Sequence, residues 1–143
     1  MNIWVNGCFD IIHSGHIDLL WYAKLYYPRP LVGVLPRDYN KLYVGLDSDE
    51  RIKQLKGDKR PINDIDTRMK IMANLRMVDE TVIFHDDDEL RYFIKVFSID
   101  YMIVGDQYKD KEVIGSENAK YGARFYPVDN RSTTNVIEKI KNL

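Results

Sequence analysis

The stretch Gly7-Cys8-Phe9-Asp10-Ile11-Ile12-His13-Ser14-Gly15-His16 joins a short apolar run, residues 2–6 (NIWVN), to a segment of helical periodicity. Residues 2–6 read as a buried strand broken at Gly7. Between Ser14 and Tyr26, Ile17, Leu20, Trp21 and Leu25 share one helical face, and Pro28 and Pro30 end the helix. A ligand in an α/β sheet sits outside the carboxyl ends of the strands, where such a junction lies. The helix start offers free N–H groups and the positive end of a dipole, a natural seat for phosphate. Gly15 lets the backbone approach a bulky polyphosphate, and His13 and His16 can donate to its oxygens. Two other readings compete. Asn6-Gly7 is a hairpin signal, but strand alternation does not follow it. The two histidines could also bind zinc, with only Cys8 and His85 left to complete the site.

Outward from the junction, strands and helices alternate. Residues 31–35, 42–46, 81–84, 101–105 and 124–128 read as strands. The polar stretch 47–64 reads as a loop or a short helix plus loop. A helix capped by Asp64 or Asp66 carries Met69, Met72, Leu75 and Met77 on one side. The acidic run Asp86–Glu89 suits a helix start, and Leu90, Phe93, Ile94 and Phe97 form its stripe. A short polar helix is expected near 116–121, and a last helix carries Val136, Ile137 and Ile140. The order predicts an α/β fold, a Rossmann-like doubly wound parallel sheet covered on both faces, forming one domain over residues 1–143.

Lys+Arg (21) and Asp+Glu (22) nearly cancel, which argues against nucleic acid as a partner. The lone Cys8 excludes an internal disulfide framework and fits a reducing, cytoplasmic setting. No signal peptide and no apolar stretch long enough for a membrane span is read. The Walker A and G-x-G-x-x-G patterns of P-loop ATPases and dinucleotide dehydrogenases are missing.

Gly7-x-Phe9-Asp10-x-x-His13-x-Gly15-His16 resembles the signature of the HxGH cytidylyltransferase-like nucleotidyltransferases. Arg131-Ser132-Thr133-Thr134-Asn135, before the last helix, resembles that family's Ser-Thr-Thr element. The likeness is greatest to the heptose 1-phosphate adenylyltransferase domain of the bacterial ADP-heptose pathway. It includes Lys56-Gly57-Asp58-Lys59-Arg60-Pro61, Arg68-Met69, Val78-Asp79 and Gly105-Asp106-x-Tyr108-Lys109. Glycerol-3-phosphate cytidylyltransferase is the next nearest.

The resemblance implies that a nucleoside monophosphate passes from a triphosphate to a sugar or polyol phosphate, with release of pyrophosphate. It implies a catalytic set of His13, His16 and Lys56. Nucleotide contacts would come from Gly7, Cys8, Phe9, Gly15, the two histidines, Gly105 and Asp106, with Ser132, Thr133 and Thr134 at the β/γ-phosphates. Lys53, Lys56 and Arg76 would face the acceptor. Magnesium would arrive with the triphosphate, held mainly by phosphate oxygens and water rather than by protein ligands. Family members are often homodimers.

Blander roles accompany these. Lys53, Lys56 and Lys59 could solvate a loop, Arg76 could be an exposed helix residue, and Ser132–Thr134 could be only a cap. Asp10 is expected to hold loop N–H groups rather than ligand. Cys8 is not expected to be a nucleophile. Two departures stand out: an extra piece near 27–40, and the missing Arg-Thr pair that cytidylyltransferases carry before Ser-Thr-Thr. The second favours adenylyl over cytidylyl transfer. A non-catalytic nucleotide-binding module is the reading from outside enzymology.

Overall fold

The computed structural model describes residues 1–28, 40–127 and 132–143. Among the described residues five strands, β1 (Asn2–Gly7), β2 (Lys41–Asp47), β3 (Glu80–Phe84), β4 (Tyr101–Gly105) and β5 (Ala123–Tyr126), form one sheet. Their order is β3-β2-β1-β4-β5, with every pair parallel. The helices are α1 (Ser14–Leu25), α2 (Asp49–Lys56), α3 (Ile65–Ala73), α4 (Asp87–Val96) and α5 (Thr133–Lys141). The expected α/β doubly wound architecture is therefore present. The strand expected over 31–35 lies outside the described residues.

Period-two alternation along the central strand divides the core. Ile3 and Val5 point into one cluster with Leu20, Ala23, Leu42, Val44 and Met72, under α1 and α3. Trp4 points the other way, to Phe84, Leu90, Ile94, Ile99 and Met102, under α4. Continuous apolar runs such as IWV make sense only in strands covered on both sides. One close approach is decisive at Gly45: a Cβ there would stand 2.3 Å from Cζ2 of the fully buried Trp4. Trp4 Nε1 donates to Asn6 Oδ1 at 2.9 Å, so the buried indole N–H is satisfied.

Helix starts follow their caps. Asp64 accepts from Thr67 N, and Asp86 accepts from Glu89 N with three further acids in the first turn of α4. Helix α3 ends sooner than its sequence pattern predicts. It stops at Ala73, with Asn74 as cap, so Leu75 and Met77 reach the core from the turn into β3. The pattern of burial runs on; the helical backbone does not. The polar helix expected near 116–121 is a single 3-10 turn, Ser116–Asn118.

Candidate active site

The order 3-2-1-4-5 places the topological switch between β1 and β4, and a cavity of about 910 Å³ opens beyond the carboxyl ends of the strands there. Helix α1 opens this cavity with an imidazole version of the capping box. His13 is the N-cap; its Nδ1 accepts from Gly15 N at 3.1 Å, and His16 Nδ1 accepts from His13 N at 3.2 Å. The rings stack with centroids 3.8 Å apart. A ring nitrogen that accepts a hydrogen bond carries no proton, so in each ring the proton sits on Nε2. Burial, then the His13 ring and Lys56, pushes the His16 pKa down to about 4. At neutral pH His16 is an uncharged Nε2–H donor.

The chain reaches this cap through a left-handed residue, Phe9, at φ 47. Its ring lies against Gly7 and meets His16 edge-on at 5.2 Å. That backbone state costs about 1 kcal/mol for a non-glycine residue, and what it positions offsets the cost. Asp10 turns inward and accepts from Ile62 N and Asn63 N, both at 2.8 Å, and from Arg60 Nε at 3.3 Å. Arg68, 1% exposed, donates to Cys8 O (2.9 Å), Asp47 O (2.8 Å) and Asn63 O (3.0 Å), and pairs with Asp49 Oδ1 at 2.6 Å. One guanidinium thus fastens the ends of β1 and β2, the start of α2 and the loop before α3.

Cys8 lines the cavity, and its Sγ donates to Asp47 Oδ2 at 3.5 Å. Burial and the neighbouring carboxylate push its pKa up, which keeps the thiol protonated and a poor nucleophile. Asp47 also accepts from Arg51 Nε at 2.7 Å, and Arg51 continues to Asp87 at 2.8 Å with its guanidinium over the Phe84 ring.

The C-terminal element arrives from the β4–β5 half. Ser132 caps α5, accepting from Asn135 N at 3.0 Å, and Thr133 Oγ1 donates to Ile11 O at 3.0 Å. Two segments more than a hundred residues apart in sequence therefore converge. His13, Gly15, His16, Ser132, Thr133 and Thr134 all line one cavity, as do Gly7, Cys8, Phe9, Lys56 and Gly105.

Three residues expected at the site are not on that wall: Lys53, Asp106 and Arg76. Lys53 is exposed on α2. Arg76 is exposed ahead of β3, at the amino ends of the strands, opposite the cavity. Nearby, Asp79 accepts from Leu42 N at 2.7 Å and from Lys24, so the Val78-Asp79 segment braces the sheet. His85, the third histidine, pairs with Glu89 rather than lining the cavity. Among the described residues no group of three or more His, Cys, Asp or Glu is placed to hold a metal. No helix among them is long and apolar enough to cross a membrane.

Sequence reasoning missed Asp47, Arg51 and the work of Arg68 and Arg60. Leu90, Gln107, Val113 and Ile114, which also line the cavity, were missed as well. Only the run of charge from Asp47 to Arg51, at a strand end, hinted at the first pair.

A parallel 3-2-1-4-5 sheet with an imidazole-capped first helix at its switch point defines an α/β domain of nucleotidyltransferase type. The chain belongs to the cytidylyltransferase-like family, whose model matches residues 4–139. It is 42% identical over 139 residues to the bifunctional protein HldE of Campylobacter fetus, and 40% identical over 139 residues to that of Helicobacter pylori strain P12. Both alignments cover 97% of this chain but only 28% and 27% of those relatives, so the chain spans little more than a quarter of their length. A crystal structure of a lipopolysaccharide core biosynthesis protein from Thermoplasma volcanium matches with TM-score 0.63 at 22% identity, covering 90% of this chain and 98% of that one. A protein of unknown function from Archaeoglobus fulgidus matches with TM-score 0.58 at 17% identity, covering 88% of this chain and 89% of that one. At those identities the two structures share the fold.

Proposed function

We propose that this domain transfers the nucleoside monophosphate of a triphosphate, ATP in preference to CTP, to a sugar phosphate resembling heptose 1-phosphate, releasing pyrophosphate. The observation that carries the reading is the convergence of the imidazole-capped α1 and the Ser132-capped α5 on one cavity, joined by the Thr133–Ile11 hydrogen bond. Two helix N-termini and two imidazole side chains lining one cavity make a seat for a polyphosphate.

In the reaction an oxygen of the acceptor phosphate forms a bond to the α-phosphorus, and the bond from that phosphorus to the bridging oxygen of pyrophosphate breaks. Both partners bring their own charge, so positioning and electrostatic stabilisation do the catalysis. His13 and His16 donate to the phosphate oxygens on which charge grows, and Lys56 neutralises it from α2. Ser132, Thr133 and Thr134 hold the β- and γ-phosphates. Cys8 and Phe9 present backbone groups to the nucleotide, beside Gly7 and Gly105. The protonated Cys8 thiol forms no covalent intermediate.

Magnesium fits this wall as a companion of the triphosphate. Asp10 and Asp47 line the cavity, but both already accept from protein donors. The metal would be held by phosphate oxygens and water, and would supply charge neutralisation at the leaving group. A reducing cytoplasm and a homodimer complete the proposal; exposed Leu25 and Tyr27, beyond the buried part of α1, are apolar surface that a second copy would cover.

Pyrophosphate release from a matrix of ATP, CTP, GTP and UTP against sugar 1-phosphates and glycerol 3-phosphate tests the reading. ATP with a sugar 1-phosphate is expected to dominate. CTP with glycerol 3-phosphate would replace it with a polyol cytidylyltransferase. Nucleotide binding with no release from any pair would leave a non-catalytic module.

A further inference from the structure

Arg60 lines the cavity, and its side chain is 15% exposed. Of its guanidinium nitrogens, Nε donates to Asp10 at 3.3 Å, whereas Nη2 is buried without a hydrogen-bond partner among the described residues. A desolvated guanidinium N–H with no acceptor is costly. The surroundings make the arrangement deliberate. Asp10, whose side chain is fully buried, holds Arg60 and the two N–H groups after Pro61 at once. Among the described residues the arginine is thus pinned at one edge and without a partner at the other, beside the cavity that Lys56 also lines.

Topology says which anion that edge serves. Helix α5 enters from the β4–β5 half of the sheet and reaches the junction at Ile11; Arg60 enters from the β2–β3 half and reaches it at Asp10. An in-line displacement needs entering and leaving groups on opposite faces of the α-phosphorus. With pyrophosphate seated at α5 and the histidines, the attacking group comes from the other half.

We infer that Arg60, together with Lys56, is the seat of the acceptor's phosphate: its guanidinium takes an oxygen of the nucleophilic phosphoryl group and aligns it for attack. This rests on the nucleotidyl-transfer reading for its chemistry. The seat itself is a statement about phosphate binding and is tested separately.

The test uses inorganic phosphate as probe for the acceptor seat and pyrophosphate as probe for the leaving-group seat, each followed by backbone amide NMR shifts. Phosphate is expected to move the Arg60, Ile62 and Asn63 amides, and pyrophosphate those of Thr133 and Thr134. Arg60→Gln keeps a donor for Asp10 but removes the charge and the fork. It is expected to weaken phosphate at least tenfold and leave pyrophosphate within twofold. Arg60→Lys keeps the charge without the fork and should fall between; it carries the test if the glutamine variant does not fold. In turnover, the acceptor KM should rise at least tenfold with the triphosphate KM within twofold.

Phosphate binding unchanged in Arg60→Gln, or no phosphate response at residues 60–63 in the wild type, overturns the inference. Equal losses for both probes overturn it too, because Arg60 would then serve the triphosphate or the fold. Arg60-dependent phosphate binding in a protein that transfers no nucleotide would keep the seat and refute the transfer.

Discussion

The β1–α1 junction and the start of α5 face each other across one cavity, but they are secured by different means. At the junction, Asp10 gathers the loop after α2 and Arg68 makes four hydrogen bonds to four segments, nearly all out of water. Helix α5 buries none of its residues, and Ile140 on its outer turn is 59% exposed. A hydroxyl-to-carbonyl bond, Thr133 Oγ1 to Ile11 O, ties the two together. Nucleotidyl transfer makes sense of the contrast. On the proposed roles, the wall that stabilises the transition state has to be preorganised, whereas the wall that grips the leaving pyrophosphate has to let it go.

The contrast breaks most violently at Arg68. Arg68→Ala takes the guanidinium away from Asp49 Oδ1 and three carbonyls, and about 3–5 kcal/mol of stability should go. Urea unfolding reads it; a loss under 1 kcal/mol would mean the junction is not held as described. His16→Ala comes next, with turnover expected to drop about 10²–10³-fold in a chain that still folds, the lost cap contact costing only about 1 kcal/mol. Near-normal turnover would remove His16 from the chemistry.

The pH dependence follows from the same ring. His16 titrates near 4 in the folded chain against 6.5 for an ordinary histidine, so the unfolded chain takes up the proton first on acidification. The stabilisation is complete above about pH 6.5 and is lost as pH falls toward 4, amounting to at most about 3 kcal/mol. Histidine NMR titration checks the value, and a triphosphate should raise it because phosphate favours the imidazolium. A free-chain value near 6.5 would contradict the buried, neutral ring.

Thr133→Val is the smallest effect, sparing stability and weakening triphosphate binding by about 1 kcal/mol, or roughly fivefold. Calorimetric binding reads it. A fall in melting temperature instead would show α5 to be part of the rigid frame.

What sequence made legible was local. The His13–His16 spacing, the Ser132 cap and the acidic start of α4 each act within one helical turn, and the run at residues 2–6 read as a buried strand. What it hid was contact between distant segments. Nothing near Arg68 says that it meets Cys8, sixty positions earlier, and nothing near Arg76 says that it falls at the amino ends of the strands. The periodicity through Leu75 and Met77 misled in the same way, because a chain turning toward β3 also sends apolar side chains inward.

The Trp4 indole offers a practical consequence. Its N–H is tied to Asn6, a residue of the cavity wall, while its ring lies over Gly45 with no solvent contact. Any occupant that draws the Asn6 carboxamide toward itself loosens that tether and changes the polarity felt by a chromophore shielded from water. The protein therefore carries its own optical gauge of occupancy, and replacing the chain's other tryptophan, Trp21, with phenylalanine would isolate the signal.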